Sequence, residues 1–275
     1  MNRRHSLILL AALLLGFMAS SQSVSLFGKS SALDRAKAGK ALWEERCDSV
    51  AGEKIFRKVE NVEGLLLMKV RPQAGAREWA DPMWPGGAFA LEARTDGYIT
   101  TFLGYEEAFG QNGKPRQIAP KNRGYINTTA KPGPINLPGY RYVDVIDEKD
   151  GKRYRYKGRW EEPWQYDKSY LKGYIKFFLD KAPAPDPAPR YGVTYEDHVI
   201  PEDRALGVAS STVKVLDLQT NEVLGKMIRY AWSVPASSAN PNPWLTAYKC
   251  PGHAEAAESA TRMFVDQILI PKRGN

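Results

Sequence analysis

Acidic side chains flank a histidine at one place in the chain where acid–base chemistry could be built. Asp197 precedes His198, and Glu202 and Asp203 follow within a few residues. A carboxylate beside an imidazole can form a general acid–base pair, and the same groups can ligate a metal. The segment 200–203 equally has the form of a turn leading into a helix, with its acids in the first helical turn. We expect the turn.

The remaining candidates for chemistry are less specific. His253 lies close to Cys250 and could activate that thiol if it were free. Ser210-Ser211 lacks the GxSxG context of a nucleophile elbow, and the pair Glu106-Glu107 has no glycosidase-like spacing. GxGxxG, P-loop and HExxH motifs are absent from the sequence. The sequence therefore assigns no catalytic residue, no metal ligands and no cofactor.

A basic segment without acids is the strongest candidate for a binding surface. Residues 108–143 contain no Asp or Glu, and glycines and prolines interrupt every helical or strand period across 104–139, which predicts a long loop. The alternative is a solvated loop whose charges only keep the chain soluble. The candidate residues for binding an anionic surface are Lys114, Arg116, Lys121, Arg123 and Lys131.

Bases and aromatic residues also alternate over 152–159, a pattern typical of polyanion-binding strips. A two-residue turn at Asp150-Gly151 would make this segment one strand of a hairpin. Valines and tyrosines would then share a core face, with acids opposite bases on the outer face. We therefore favour a salt-bridged outer face over a binding strip. The predicted cross-strand pairs are Glu148 with Arg153 and Asp144 with Lys157.

The N-terminus has the three parts of a secretory signal peptide. A basic start over 1–5 precedes an apolar run over 6–18, and small residues follow up to a predicted cut before Gln22. Residues 1–21 are therefore expected to be removed. The alternative is an uncleaved anchor over 6–28, which is long enough to span a bilayer. Either way the body lies outside the inner membrane, as a periplasmic or secreted protein, or as a periplasmic body on an inner-membrane anchor.

Composition fits an exported globular protein. The chain is 43% hydrophobic and 25% charged, which excludes collagen-like and wholly disordered classes. Its net charge is 39 − 31 = +8. An exported basic protein does not meet nucleic acid, so its expected partners are anionic lipid, polysaccharide or an acidic envelope protein. The sequence does not define the oligomeric state. Cys47 and Cys250 are expected to form a disulfide in an oxidising compartment, with two free thiols as the alternative.

The predicted elements give the fold class α+β, with a mainly antiparallel sheet built from hairpins and with N-terminal and C-terminal helices joined by the disulfide. Residues 65–68 are apolar on both faces and predict a central strand. We expect one α+β domain over 22–275, with an extended Pro-rich crossing at 181–189. The predicted helices cover 30–47 and 251–269; the predicted strands cover 54–59, 65–71, 89–94, 98–103, 140–160 as a hairpin, 191–196, 213–218 and 223–232; and 169–179 is left as helix or strand.

Three segments resemble uncharacterised exported proteins of Gram-negative bacteria, namely residues 47–72, 190–196 and 213–223. The resemblance implies an exported, single cooperative body, and no function carries over with it. We therefore expect an envelope-associated binding or accessory protein that contacts an anionic surface. The alternatives are an envelope hydrolase acting on a polyanionic substrate and a membrane-anchored structural partner.

Overall fold

The computed structural model of the protein describes residues 31–92, 94–103, 139–170, 172, 176–251 and 260–272. Within these ranges the chain forms an α+β fold with eleven strands and five α-helices. The α+β class is therefore confirmed. The helices are α1 (Ala32–Ser49), α2 (Ala76–Ala80), α3 (Asp96–Phe102), α4 (Pro201–Ala205) and α5 (Ala260–Asp266).

Nine of the strands form one mixed, mostly antiparallel sheet, in the order β1-β9-β8-β7-β3-β4-β5-β6, with β10 also paired to β9. A separate pair, β2 and β11, runs parallel. The strands are β1 (Gly52–Ile55), β2 (Val59–Val62), β3 (Gly64–Leu67), β4 (Tyr142–Ile146), β5 (Arg153–Glu161), β6 (Lys176–Pro183), β7 (Tyr191–His198), β8 (Val208–Asp217), β9 (Glu222–Trp232), β10 (Tyr248–Cys250) and β11 (Leu269–Pro271).

The central strand β3 explains why the sheet is mixed. It runs parallel to both of its neighbours, β4 and β7, whereas β7–β8, β8–β9, β4–β5 and β5–β6 are antiparallel. Every residue of β3 is buried, as expected of a strand with apolar side chains on both faces. The hairpin β8–β9 is confirmed, and Asn221 in its turn has the positive φ that asparagine tolerates.

The main core lies on one face of this sheet. Val213, Val215 and Met227 project from β8 and β9 toward Phe264 and Ile268 of the C-terminal segment. The aromatic and aliphatic side chains of α3 complete the same cluster. A smaller second cluster, around Trp79, Phe89 and Trp244, packs against Ala209 and Ala231 of the same face.

Helix α1 packs on the other face, against β8 and β9. It begins at Ala32, two residues after the predicted start at 30, where Ser31 forms a capping box with Asp34. Trp43 stacks on Trp232 with their ring centroids 6.5 Å apart. A Cβ on Gly39 would lie 2.0 Å from the Leu206 carbonyl oxygen, so only glycine lets the helix approach this closely.

Two predicted elements are wrong in this structure. The strands expected at 89–94 and 98–103 are a 3₁₀ turn (Gly87–Leu91) followed by α3. Tyr98, Ile99 and Phe102 are buried on one side of α3, so these apolar residues have helical spacing. The strand prediction instead followed the turn-forming residues at 95–97. The ambiguous segment 169–179 leads into the edge strand β6, which carries the chain into the Pro-rich crossing.

The hairpin β4–β5 has its predicted faces but not its predicted pairs. Asp144 lies opposite Arg155, and Ile146 lies opposite Arg153, a shift of two residues from the predicted register. The connection is longer than two residues because Asp147 and Asp150 accept hydrogen bonds from the amides of Lys149 and Lys152 and form an ordered loop. A two-residue shift leaves each side chain on the same face.

The disulfide between Cys47 and Cys250 is confirmed, with the two Cα atoms 5.8 Å apart. Cys47 lies on α1, as predicted. Cys250 is the last residue of β10, so the bond joins the N-terminal helix to a strand of the sheet and not to the C-terminal helix. In the described residues the C-terminal helix, α5, spans Ala260–Asp266.

Candidate functional site

Several sequence-predicted site residues lie outside the described residues. These are the leader, Glu106-Glu107, His253 and the basic candidates Lys114, Arg116, Lys121, Arg123 and Lys131. Their predicted roles stay predictions.

The structure separates Asp197 from His198. Both lie on β7, where successive side chains point to opposite faces of the sheet. Asp197 accepts a hydrogen bond from Arg71 on the core face, whereas His198 Nε2 lies 3.0 Å from Thr212 Oγ1. Glu202 and Asp203 occupy the first turn of α4, as the turn interpretation predicted. These four residues form neither an acid–base pair nor a metal site.

A buried charge network surrounds Asp197, and sequence patterns did not indicate it. Arg71 is fully buried. Its guanidinium donates to Asp197 at 2.6 Å, to Glu92 at 3.3 Å and to Ser211 at 3.3 Å. The same guanidinium lies 3.7 Å from the ring centroid of Tyr195. Each donor group thus has a partner from a different part of the chain, as a buried cation requires.

Glu92 is the second anion of this network. Its carboxylate accepts from Arg229 at 3.2 Å and from both the amide and the hydroxyl of Thr261 at 2.6 and 2.7 Å. Burial opposes ionisation of Glu92, but the nearby charges of Arg229 and Arg71 outweigh it and lower its pKa to about 2. Glu92 is therefore a carboxylate at neutral pH and ties the start of α5 to the sheet.

The network fixes the position of β7 and closes the core face to solvent. Tyr195 donates its hydroxyl to the Val70 carbonyl at 3.1 Å, and burial raises the pKa of this hydroxyl to about 12. The charged side chains Arg71, Glu92 and Arg229 are at most 6% exposed. The core-facing residues of β7 thus serve to hold the strand, while the alternate residues Thr194, Glu196 and His198 lie on the opposite face.

That opposite face carries a row of lysines. Lys54 of β1 is directly opposite Lys226 of β9, and Lys226 is directly opposite Lys214 of β8. Directly opposed side chains project on the same face with Cβ atoms about 5 Å apart. We call Lys54, Lys226 and Lys214 the lysine row. Thr194 of β7 continues it by pairing with Lys214.

A cavity of about 180 Å³, lined by polar and charged residues, lies at the Lys214 end of the lysine row. Lys69, whose Nζ lies 5.8 Å from the ring centroid of Tyr195, lines it as well, and Glu196 brings a carboxylate that is 61% exposed. The Glu196 carboxylate lies 4.0 Å from Lys214 Nζ and 3.9 Å from His198 Nδ1. Both separations exceed hydrogen-bond length. The residues lining the cavity are Lys69, Thr194, Tyr195, Glu196, Thr212 and Lys214.

The arginines of the β4–β5 hairpin are paired, as the salt-bridged interpretation predicted for this face. Asp144 is fully buried and accepts from both Arg153 and Arg155. Arg155 also lies 3.7 Å from the ring centroid of Tyr142, and Arg153 reaches Asp186 as well. The predicted Glu148–Arg153 and Asp144–Lys157 pairs are replaced by these, because of the two-residue shift in register.

In the parts of the chain that the structure describes, no cluster of three His, Cys, Asp or Glu side chains could hold a metal ion. None of the helices in those parts has the length and apolar character needed to cross a membrane.

Sequence analysis missed the lysine row and the cavity. Lys214 stands between Val213 and Val215, a pattern that places it on the polar face, whereas Lys54 follows Glu53. Which lysines oppose one another depends on strand pairing such as that of Lys54 with Lys226, which are 172 positions apart, and sequence periodicity does not encode that pairing. Comparison with known proteins adds no family to this geometry, since no family model, no curated protein and no solved structure matches the chain.

Proposed function

We propose that the protein is an exported, envelope-associated binding protein whose polar sheet face contacts an anionic lipid surface. The observation that carries the proposal is the lysine row, in which Lys54, Lys226 and Lys214 face one another across three adjacent strands.

Like charges placed directly opposite each other destabilise a sheet. Among the described residues, neither Lys54 nor Lys226 forms an ion pair, and Lys214 only approaches Glu196 at 4.0 Å. Elsewhere on this face the bases are neutralised, as Arg153 and Arg155 are by Asp144. The lysine row therefore costs stability that an external anion would restore.

The geometry of the lysine row suits an array of phosphate groups. Neighbouring strands are about 4.8 Å apart, so the three side chains extend over about 10 Å of the sheet face on which α1 also packs. Lysine is a common phosphate ligand because its ammonium group offers three donors on a flexible stem. A surface of lipid head groups presents phosphates side by side, and each lysine near such a surface contributes about 1 kcal/mol of binding free energy.

Export brings the face to such a surface. The predicted leader at 1–21 directs the body across the inner membrane, and the disulfide between Cys47 and Cys250 fits an oxidising compartment. The basic residues 114–131 are expected to add to the same attraction.

Vesicle binding tests the proposal. We compare the protein with the triple variant Lys54→Gln, Lys214→Gln, Lys226→Gln on vesicles of phosphatidylglycerol and phosphatidylcholine. The matched control is Lys37→Gln, Lys149→Gln, Lys152→Gln, which removes the same charge at exposed positions off the lysine row. Three lysines at about 1 kcal/mol each predict a loss of about 100-fold in affinity for the first variant. The control should lose much less. Equal losses, or binding to acidic polysaccharide but not to vesicles, would overturn the proposal.

A further inference from the structure

We infer that the cavity beside the lysine row binds a phosphate that carries a primary amine, as a phosphoethanolamine group does. This inference rests on the proposed function, because it names the head group that the same face would select. It concerns the cavity residues Lys69, Thr194, Glu196, Thr212 and Lys214.

The cavity offers several donors to one anionic group. Lys69 and Lys214 both line it, and Thr194 lies directly opposite Lys214. Ammonium and hydroxyl groups are the side-chain donors that commonly hold phosphate oxygens.

Thr212 has a defined role in this arrangement. Its hydroxyl oxygen lies 3.0 Å from His198 Nε2. When that nitrogen carries the imidazole proton, Thr212 accepts from it and keeps its own proton for a phosphate oxygen. The strand pairing supports the placement, since Thr212 is directly opposite Glu196 at the wall of the cavity.

Glu196 determines which phosphate would fit. Its carboxylate repels a bare phosphate dianion, and it has two acceptor oxygens that are not hydrogen-bonded to Lys214 or His198. A primary ammonium group brings three N–H donors to such a carboxylate. A trimethylammonium group has none, so phosphocholine lacks the second contact. The combination of Lys69, Lys214 and Glu196 thus matches a zwitterion with its ammonium group close to its phosphate.

The size of the cavity agrees with a small head group. Its volume of about 180 Å³ is well above the ~10–15 Å³ that one water requires. It opens to solvent beside Glu196, whose side chain is 61% exposed, so both a soluble zwitterion and a head group on a lipid can enter.

Calorimetry with soluble probes tests the selectivity. Phosphoethanolamine, phosphocholine and inorganic phosphate are titrated into the protein, into Glu196→Gln and into the control Glu60→Gln, whose carboxylate is exposed and away from the cavity. The protein should bind phosphoethanolamine at least tenfold more tightly than phosphocholine. Glu196→Gln should abolish this preference, and Glu60→Gln should keep it. Equal binding of the two probes by the parent protein, or an unchanged preference in Glu196→Gln, would overturn the inference.

Two further experiments distinguish a lipid head group from a free solute as the ligand, and the proposed function from the cavity inference. Vesicles of phosphatidylcholine with or without phosphatidylethanolamine show whether the ligand is a lipid head group or a free solute. The variant Thr194→Val keeps every charge of the lysine row, so it should weaken phosphoethanolamine binding at least fivefold while binding to phosphatidylglycerol vesicles is unchanged.

If vesicle binding fails but the soluble preference holds, the proposed function falls and the cavity assignment stands. If the preference fails but vesicle binding depends on the lysine row, the reverse is true. Melting temperatures confirm that each variant is folded.

Discussion

Arg71 and Asp197 form a buried ion pair, with Arg71 Nη1 2.6 Å from Asp197 Oδ2 across 126 positions of sequence. This pair links the segment after β3 to the strand whose other face carries Glu196. Because successive residues of β7 alternate between faces, fixing Asp197 on the core side also fixes the direction of Glu196 and Thr194 on the polar side. The buried network and the polar-face residues of the cavity thus lie on two sides of one strand, and Tyr195 belongs to both.

The first prediction concerns the stability that this ion pair provides. Arg71→Met leaves Glu92 and Asp197 buried without a shared cation, and breaking a buried pair by removing one partner costs about 3–5 kcal/mol of unfolding free energy. The control Arg141→Met removes an exposed partner of Glu63 and should cost about 0–1 kcal/mol. Urea denaturation measures both values. Similar small losses in the two variants would show that the network is not needed for folding.

The second prediction is an acid-dependent loss of stability at Glu92. Its pKa is lowered to about 2 in the folded protein from an ordinary value of 4.5. A lowered folded-state pKa stabilises the protein above the unfolded value, and this stabilisation disappears as the pH falls from about 4.5 to about 2. The size is on the order of 3 kcal/mol.

The variant Glu92→Gln isolates this contribution. It should be less stable than the parent at pH 7, and the difference in unfolding free energy should shrink as the pH falls toward 2. Denaturation curves between pH 7 and pH 2.5 measure the difference. A gap between the two proteins that is constant with pH would contradict the expected protonation of Glu92.

Local patterns predicted much of the fold. Apolar runs and turn residues located β3, β7, β8 and β9, and the helix predicted over 30–47 corresponds to α1. Prediction failed at 89–103, where Thr95-Asp96-Gly97 suggested a hairpin turn but Thr95 and Asp96 instead begin α3. The burial of Tyr98, Ile99 and Phe102 against the sheet decides that conformation, and tertiary contacts of this kind override local preference.

The candidate site was far less predictable than the elements. Its charges come from positions 54, 69, 196, 214 and 226, which meet only because β1, β9, β8, β7 and β3 are neighbours in that order. The same limit applies to the buried network, in which Arg71, Glu92 and Arg229 carry no local motif. Asp197 and His198 suggested chemistry because they are adjacent in sequence, and adjacency on a strand places them on opposite faces.

The third prediction concerns the disulfide. Titration of denatured, unreduced protein should find no free thiol, since Cys47 and Cys250 are bonded. The bond closes a loop with a sequence separation of 203, so Cys47→Ser with Cys250→Ser should lower the free energy of unfolding by about 2–5 kcal/mol. Two titratable thiols in the denatured, unreduced protein would contradict the expectation, as would an unchanged stability after reduction.

The fourth prediction concerns processing of the leader. A signal peptide cleaved after Ser21 gives a mature protein that begins at Gln22. Intact-mass measurement on protein isolated from the envelope should show the loss of residues 1–21. Retention of Met1, with partition into membranes after an alkaline wash, would indicate the anchor over 6–28 instead.

The fifth prediction separates the basic loop from the hairpin. Replacing Lys114, Arg116, Lys121 and Arg123 together by Gln should weaken vesicle binding, because these bases lie in a segment without acids. Thermal stability should stay almost unchanged if the segment is the solvated loop that its sequence predicts, since a solvent-exposed charge contributes about 0–1 kcal/mol. Binding by the parent should also fall steeply with salt, as the Debye length shrinks from about 10 Å at 0.1 M to about 3 Å at 1 M.

Arg153→Gln provides the opposite case. Arg153 donates to Asp144, whose side chain is fully buried, and to the exposed Asp186. Because Arg155 still holds Asp144, the loss of unfolding free energy should be about 1–3 kcal/mol, the range for a weakened hydrogen bond to a charged group. Vesicle binding should change little, since this cation already has intramolecular partners. Lys157 is the second hairpin base, and it has no ion pair among the described residues. Lys157→Gln should therefore change neither the free energy of unfolding nor vesicle binding appreciably. If the loop variant lost stability and kept its affinity while Arg153→Gln lost affinity and kept its stability, the hairpin would be the binding surface and the loop would be inert.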